Sequence, residues 1–196
     1  MIEKEILNSR ALIERHIINI QNQKSNNLKT ELTGNTIKKI SLENEEAVPD
    51  VQIKSLFGDT SLHKFKSHNL ILFFYPKDNT PGCTIECEDF SKLHSKFLKL
   101  DTQIIGVSRD SISSHNKFAN KYNLSINLIS DSSGELCSIF DVIKQKKMYG
   151  KVVKGIERST FFINSKGKLK KSWRGVSAKG HAENILKEIQ LIYNLV

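Results

Sequence analysis

The chain has 196 residues, of which 38% are hydrophobic and 26% charged, and it holds only three cysteines. That composition fits a soluble globular protein with one sizeable core, and it excludes both a membrane span, which needs ~20 consecutive apolar residues, and a secreted disulfide framework. A formal charge of +9 does not imply a nucleic-acid partner here: lysines cluster only at 144–147 and 166–171, without interleaved aromatics or a recognition-helix motif, so they read as a solvated surface.

Residues 1–46 contain no Phe, Tyr or Trp. Ile2, Ile6, Ile13, Ile17 and Ile20 recur at spacings of three, four or seven, which predicts an amphipathic helix over 2–21, and the polar stretch 22–36 reads as a linker. The segment 1–46 is therefore an N-terminal extension, either a tail or a docking helix. The domain proper, 47–196, begins at Ala47-Val48-Pro49-Asp50. The start Met1-Ile2-Glu3-Lys4-Glu5 is acidic and has no secretory apolar region, so a cytoplasmic protein is expected.

Beyond residue 47 the pattern alternates. An apolar strand is expected over 70–75, then a polar loop, then a helix over 80–98. Thr80 suits the N-cap, Pro81 the first helical position and Cys83 the first turn, while Phe90, Leu93 and Phe97 fall on one inner face. A strand over 103–108 leads to a helix over 111–122, capped by Asp110 or Ser111. A short strand over 127–130 and a short helix over 134–140 follow. Segments 159–164 and 169–174 form a hairpin turning at Asn164-Ser165-Lys166-Gly167, and 178–193 makes the last helix. This order implies an α/β fold, a mixed β-sheet sandwiched by helices.

Cys83 is the residue with chemistry to offer. At a helix start it meets the positive end of the dipole and unpaired backbone N–H groups, both of which favour the thiolate. The plain alternative is a small buried hydrophobe. Arg158, just before an apolar strand, is either an ordinary strand-end arginine or a fixed positive charge that holds a thiolate.

Pro76, Thr80 and Cys83 match the Pro-x-x-x-Thr-x-x-Cys signature of peroxiredoxins. The longer string Tyr75-Pro76-Lys77-Asp78-Asn79-Thr80-Pro81-Gly82-Cys83-Thr84, with Glu86 and Phe90, resembles the Q-type branch, the bacterioferritin comigratory proteins. Similar strings recur at Lys147-Met148-Tyr149-Gly150-Lys151, at Gly155-Ile156-Glu157-Arg158-Ser159-Thr160-Phe161 and at Trp173-Arg174-Gly175-Val176. The resemblance spans residues 47–194. It implies a thioredoxin-like fold entered through a first hairpin, and a thiol-dependent peroxidase with no cofactor or metal. Cys83 would be the peroxidatic cysteine, Thr80 a hydroxyl contacting peroxide, Arg158 the catalytic arginine and Pro76 the residue that shapes the loop. Glu86 would support them, through the arginine, nearby backbone or the helix dipole. The resemblance further implies a monomer, with a dimer through the extension as the alternative.

Regeneration of Cys83 is where the sequence departs from that branch. Relatives carry a resolving cysteine five residues on, here Glu88, or in the following helix, near Ala119. Cys87 lies four residues after Cys83, where an intact helix separates Cβ atoms by about 5–6 Å, whereas a disulfide needs about 3.5–4.5 Å. Three routes stay open: reduction of Cys83 alone by thioredoxin, glutaredoxin or glutathione; resolution by Cys87 after unwinding; and resolution by Cys137, which otherwise reads as structural. A redox sensor or chaperone on the same fold is the non-enzymatic alternative. Cys83, Cys87 and His94 fall short of a four-ligand metal set.

Overall fold

In the computed structural model, the described residues are 46–148 and 151–192; the expected helix over 2–21 and linker over 22–36 lie outside them. The six residues of β3, Asn69–Phe74, are buried without exception, as a strand covered on both faces must be. β3 runs parallel to β4 (Thr102–Ser108), with Leu72 opposite Ile105, and β4 runs parallel to β5 (Asn127–Ser130). On its other side β3 pairs antiparallel with β8 (Ser159–Ile163), which pairs antiparallel with β9 (Leu169–Arg174). A first hairpin, β1 (Gln52–Ser55) and β2 (Thr60–Ser61), joins antiparallel to β5, giving a seven-stranded mixed sheet of order β2-β1-β5-β4-β3-β8-β9.

The alternation of side chains along β3 builds two cores. Leu70, Leu72 and Phe74 face one side with Val107, Phe161, Leu136, Ile139 and Phe140. Ile71, Phe73 and Tyr75 face the other, where three helices supply the partners: α1 (Pro81–Leu98) through Phe90 and Phe97, α2 (Ile112–Tyr122) through Phe118, and α4 (His181–Ile192) through Ile185 and Ile189. The short α3 (Glu135–Ile139) covers the first side. Gly106 decides how closely α1 seats: a Cβ there would lie 2.7 Å from Phe73 Cζ and 2.8 Å from Leu128 Cδ2. Its absence lets the Phe73 ring lie over β4 and stack on Phe90, with centroids 4.5 Å apart.

Three features differ from the sequence expectation. The last helix begins at His181 rather than 178, because Gly180 takes a left-handed φ of 72° just before it. A separate hairpin, β6 (Ile143–Met148) with β7 (Lys151–Ile156), occupies a segment whose lysines hide any clean alternation. A single 3₁₀ turn, Leu62–Phe65, precedes β3. The chain joins the sheet from Ala47, which bridges antiparallel to Lys168, while Val48 N–H donates to the Gly167 carbonyl at 2.9 Å. Among the described residues no helix is long and apolar enough to cross a membrane.

Candidate active site

β3 ends at Phe74, and the chain turns through an open loop before α1. Pro76, Lys77 and Asn79 are exposed, whereas Asp78 between them is buried. Thr80 occupies the N-cap position with extended backbone, and its carbonyl accepts the first helical bond from Thr84 N–H at 2.9 Å. Its side chain does not cap the helix, contrary to the expectation from sequence. The hydroxyl donates instead to the Lys77 carbonyl at 2.9 Å, which closes the loop and leaves its lone pairs to accept a hydrogen bond. Cys83 follows at the third helical position and is 1% exposed.

Arg158 is brought to Cys83 by strand pairing. Ser159 lies opposite Phe74 in the antiparallel register, so Arg158 sits beside the end of β3 where the loop begins. Its Nη2 donates to Cys83 Sγ at 3.3 Å, and its Nη1 forms an ion pair with Glu86 Oε2. The guanidinium also passes over Gly82, where an added Cβ would stand 3.4 Å from Nη2. The glycine thus leaves room for a charge above the first turn of α1. A planar fork suits this task, because one rigid group reaches two partners at fixed angles.

Glu86 is wholly buried, and its Oε1 has no hydrogen-bond partner among the described residues. Burial raises its carboxyl from 4.5 to about 7, against the pull of Arg158. His181, at the start of α4, is held neutral: burial and then the Arg158 charge lower it to about 4, and its Nε2 lies 2.8 Å from the Thr160 hydroxyl. Arg158 faces one sulfur and one carboxyl group, and His181 adds no second positive charge at neutral pH.

All three cysteines are free and buried. Cys87 lies on the inner face of α1 in the same cluster as Cys83 and Tyr75, and burial, reinforced by Glu86 and Cys83, pushes its thiol well above the ordinary value. Cys137 sits on the opposite side of the sheet, in α3, where its N–H donates to Asp131 Oδ2 at 2.8 Å. Burial raises that thiol as well.

Sequence reasoning missed a polar cluster beneath the loop. The Asp78 carboxylate accepts from Tyr75 Oη at 2.8 Å and Ser114 Oγ at 2.7 Å, and lies 2.9 Å from His115 Nδ1. Tyr75 and Asp78 stood inside the motif, and Ser114-His115 on the inner side of α2 offered a faint signal, but only folding joins them.

The chain is similar to known proteins over most of its length. Residues 44–172 match the AhpC/TSA family. Peroxiredoxin Bcp of Bacillus subtilis is 44% identical over 152 residues, 77% of this chain and 97% of the relative. Peroxiredoxin Bcp of Xanthomonas campestris is 47% identical over 131 residues, 67% of this chain and 82% of the relative. A solved structure of the bacterioferritin comigratory protein of Xanthomonas campestris, described in terms of its alkyl peroxide reduction activity, superposes with a TM-score of 0.69 at 43% identity, covering 72% of this chain and 91% of that one.

Proposed function

The chain belongs to the AhpC/TSA family, as a peroxiredoxin of its Bcp or Q branch, and from that premise we propose that Cys83 carries its thiol-dependent peroxidase activity. The observation that supports this most directly is the 3.3 Å contact from Arg158 Nη2 to Cys83 Sγ at the start of α1. A fixed guanidinium favours the thiolate and stabilises charge developing on oxygen without giving up its own proton.

The sulfur attacks the terminal peroxide oxygen. An S–O bond forms as the O–O bond breaks, the Cys83 thiolate becomes a sulfenic acid that keeps the terminal O–H hydrogen, and the departing hydroxide or alkoxide takes a proton from solvent to leave as water or alcohol. Thr80 accepts a hydrogen bond from the peroxide O–H through the lone pairs that its bond to Lys77 leaves free. Pro76 fixes the outer edge of the loop, and Glu86 holds the plane of Arg158 through the ion pair. Hydrogen peroxide and organic hydroperoxides are both substrates on this reading, because attack engages only the O–O–H end.

A thiol reductant completes the cycle: one thiol displaces water from the sulfenic acid to form a disulfide, and a second thiol releases Cys83. Thioredoxin is the proposed donor, with glutaredoxin and glutathione as the other thiols of suitable chemistry. Cys87 is the candidate resolving residue, and its use requires the first turns of α1 to open, given its place four residues along the same helix. Peroxide consumption coupled to thioredoxin and its reductase tests the assignment. Turnover should vanish in Cys83→Ser and persist in Cys137→Ser, and turnover retained in Cys83→Ser would refute it. Loss in Cys87→Ser as well would assign Cys87 as the resolving residue.

A further inference from the structure

The cluster beneath the loop does more than fill space. Asp78 sits midway between β3 and α1, and its N–H and both carboxylate oxygens are tied to residues outside the loop of residues 76–80. Its N–H donates to Asp110 Oδ2 at 2.8 Å, and that carboxylate also accepts from Ser108 Oγ at 2.8 Å, at the end of β4. Its carboxylate takes Ser114 Oγ and His115 Nδ1 from the first turn of α2, and Tyr75 Oη from the end of β3. His115 is fully buried, and its Nε2 lies 3.1 Å from the Ile129 carbonyl in β5. The ring thus spans the Asp78 carboxylate on one side and a β5 carbonyl on the other. Burial opposes the charge on Asp78, yet the hydrogen bonds from His115 and Ser114 prevail and hold its carboxyl below 3.8.

This clamps a short loop to α2 and to Tyr75, just past β3, through one buried carboxylate, and to Asp110 beyond β4 through the Asp78 N–H. Thr80 and the first turn of α1 hang from the far end of that loop. By contrast, α1 itself has Gly82 at its second position, no acidic residue in its first turn and no side-chain cap. Its start is intrinsically weak and depends on the loop for its shape.

We propose that Tyr75, Asp78, Ser114 and His115 act as a latch of positioning residues: they hold the loop of residues 76–80 so that Cys83 meets Arg158, and releasing them opens the start of α1 without loosening the rest of the domain. The proposal rests on the peroxidase reading for its consequence, but the opening itself is a property of the fold and is measured without peroxide. Breaking a pair does not cost twice over, since Asp78 and His115 belong to one network.

Cys87 and Cys137 supply a paired probe, both 0% exposed but on opposite sides of the sheet. In the full chain carrying Cys83→Ser, alkylation by N-ethylmaleimide is followed for both thiols by mass spectrometry. Asp78→Asn and His115→Gln should label Cys87 roughly tenfold faster or more, the scale of a lost charged hydrogen bond, with Cys137 unchanged. The double variant should label no faster than the quicker single. Tyr75→Phe and Ser114→Ala, which remove one hydroxyl each and keep the packing, should give a smaller rise at Cys87 alone. A parallel rise at Cys137 would mean general loosening and would overturn the latch, as would unchanged labelling of Cys87 in all four variants. The rate of peroxide reaction, read separately with Cys83 intact, should fall in Asp78→Asn. An inert wild type would defeat the peroxidase reading while leaving the labelling ratio to judge the latch.

Discussion

Replacing Glu86 by glutamine should change how stability depends on pH, in a direction opposite to that of most carboxylates. Glu86 is wholly buried with one oxygen unbonded, and that desolvation outweighs its single charged partner, raising the carboxyl from 4.5 to about 7. The folded state therefore holds the proton more tightly than the unfolded chain. The resulting stability is fully present below about pH 4.5 and is lost as pH rises through about 7. At ~1.4 kcal/mol for each pH unit in that window, the loss amounts to about 3 kcal/mol. Glutamine has no proton to lose, so the stability of Glu86→Gln relative to wild type should improve by about 3 kcal/mol between pH 4.5 and pH 8. For a chain of this size that corresponds to roughly 6–12 °C in relative melting temperature. Urea unfolding of both proteins across that range measures the difference directly, and subtracting one from the other cancels the remaining groups. A difference that stays flat with pH would refute the burial argument. A difference that moves in favour of wild type as pH rises would mean that the attraction of Arg158 exceeds the cost of desolvation.

Two other substitutions test the geometry of the site and of its support. Arg158→Lys keeps the charge but loses the fork that reaches Cys83 Sγ and Glu86 Oε2 together, so the single-turnover rate with peroxide should fall by about 10²-fold. A fall of only a few-fold would show that charge alone suffices. Gly106→Ala places a methyl group 2.7 Å from the Phe73 ring, and overpacking of this kind should cost about 1–3 kcal/mol, seen as a lower melting temperature by circular dichroism. An unchanged melting temperature would mean that Phe73 and Phe90 can shift together at no cost.

The elements whose residues interact locally were legible from sequence. The apolar run at β3, the inner face of α1 and the Ser111 cap of α2, which accepts from Ser114 N–H at 3.3 Å, all follow from spacing. The β6–β7 hairpin was not, because its lysines erase the alternation that marks a strand with one buried face. Thr80 shows a subtler failure. Its N-cap position was readable, but a threonine hydroxyl can bond to backbone on either side of it, and here it closes the loop on Lys77.

The sequence alone determined that a cysteine would stand at a helix start behind a buried strand, since residue type and spacing fix local backbone form. It also carried the motif that points to peroxide chemistry. Only the tertiary structure decided what surrounds that sulfur. Arg158, 75 residues away, arrives through the register of β8 on β3. Glu86 is buried beside Arg158, and Asp78 finds His115 because the segments after the parallel strands β3 and β4 leave the same end of the sheet. Burial and charge pairing depend on distances through space, and along the chain these partners are separated by too many freely rotating bonds for spacing to reveal them.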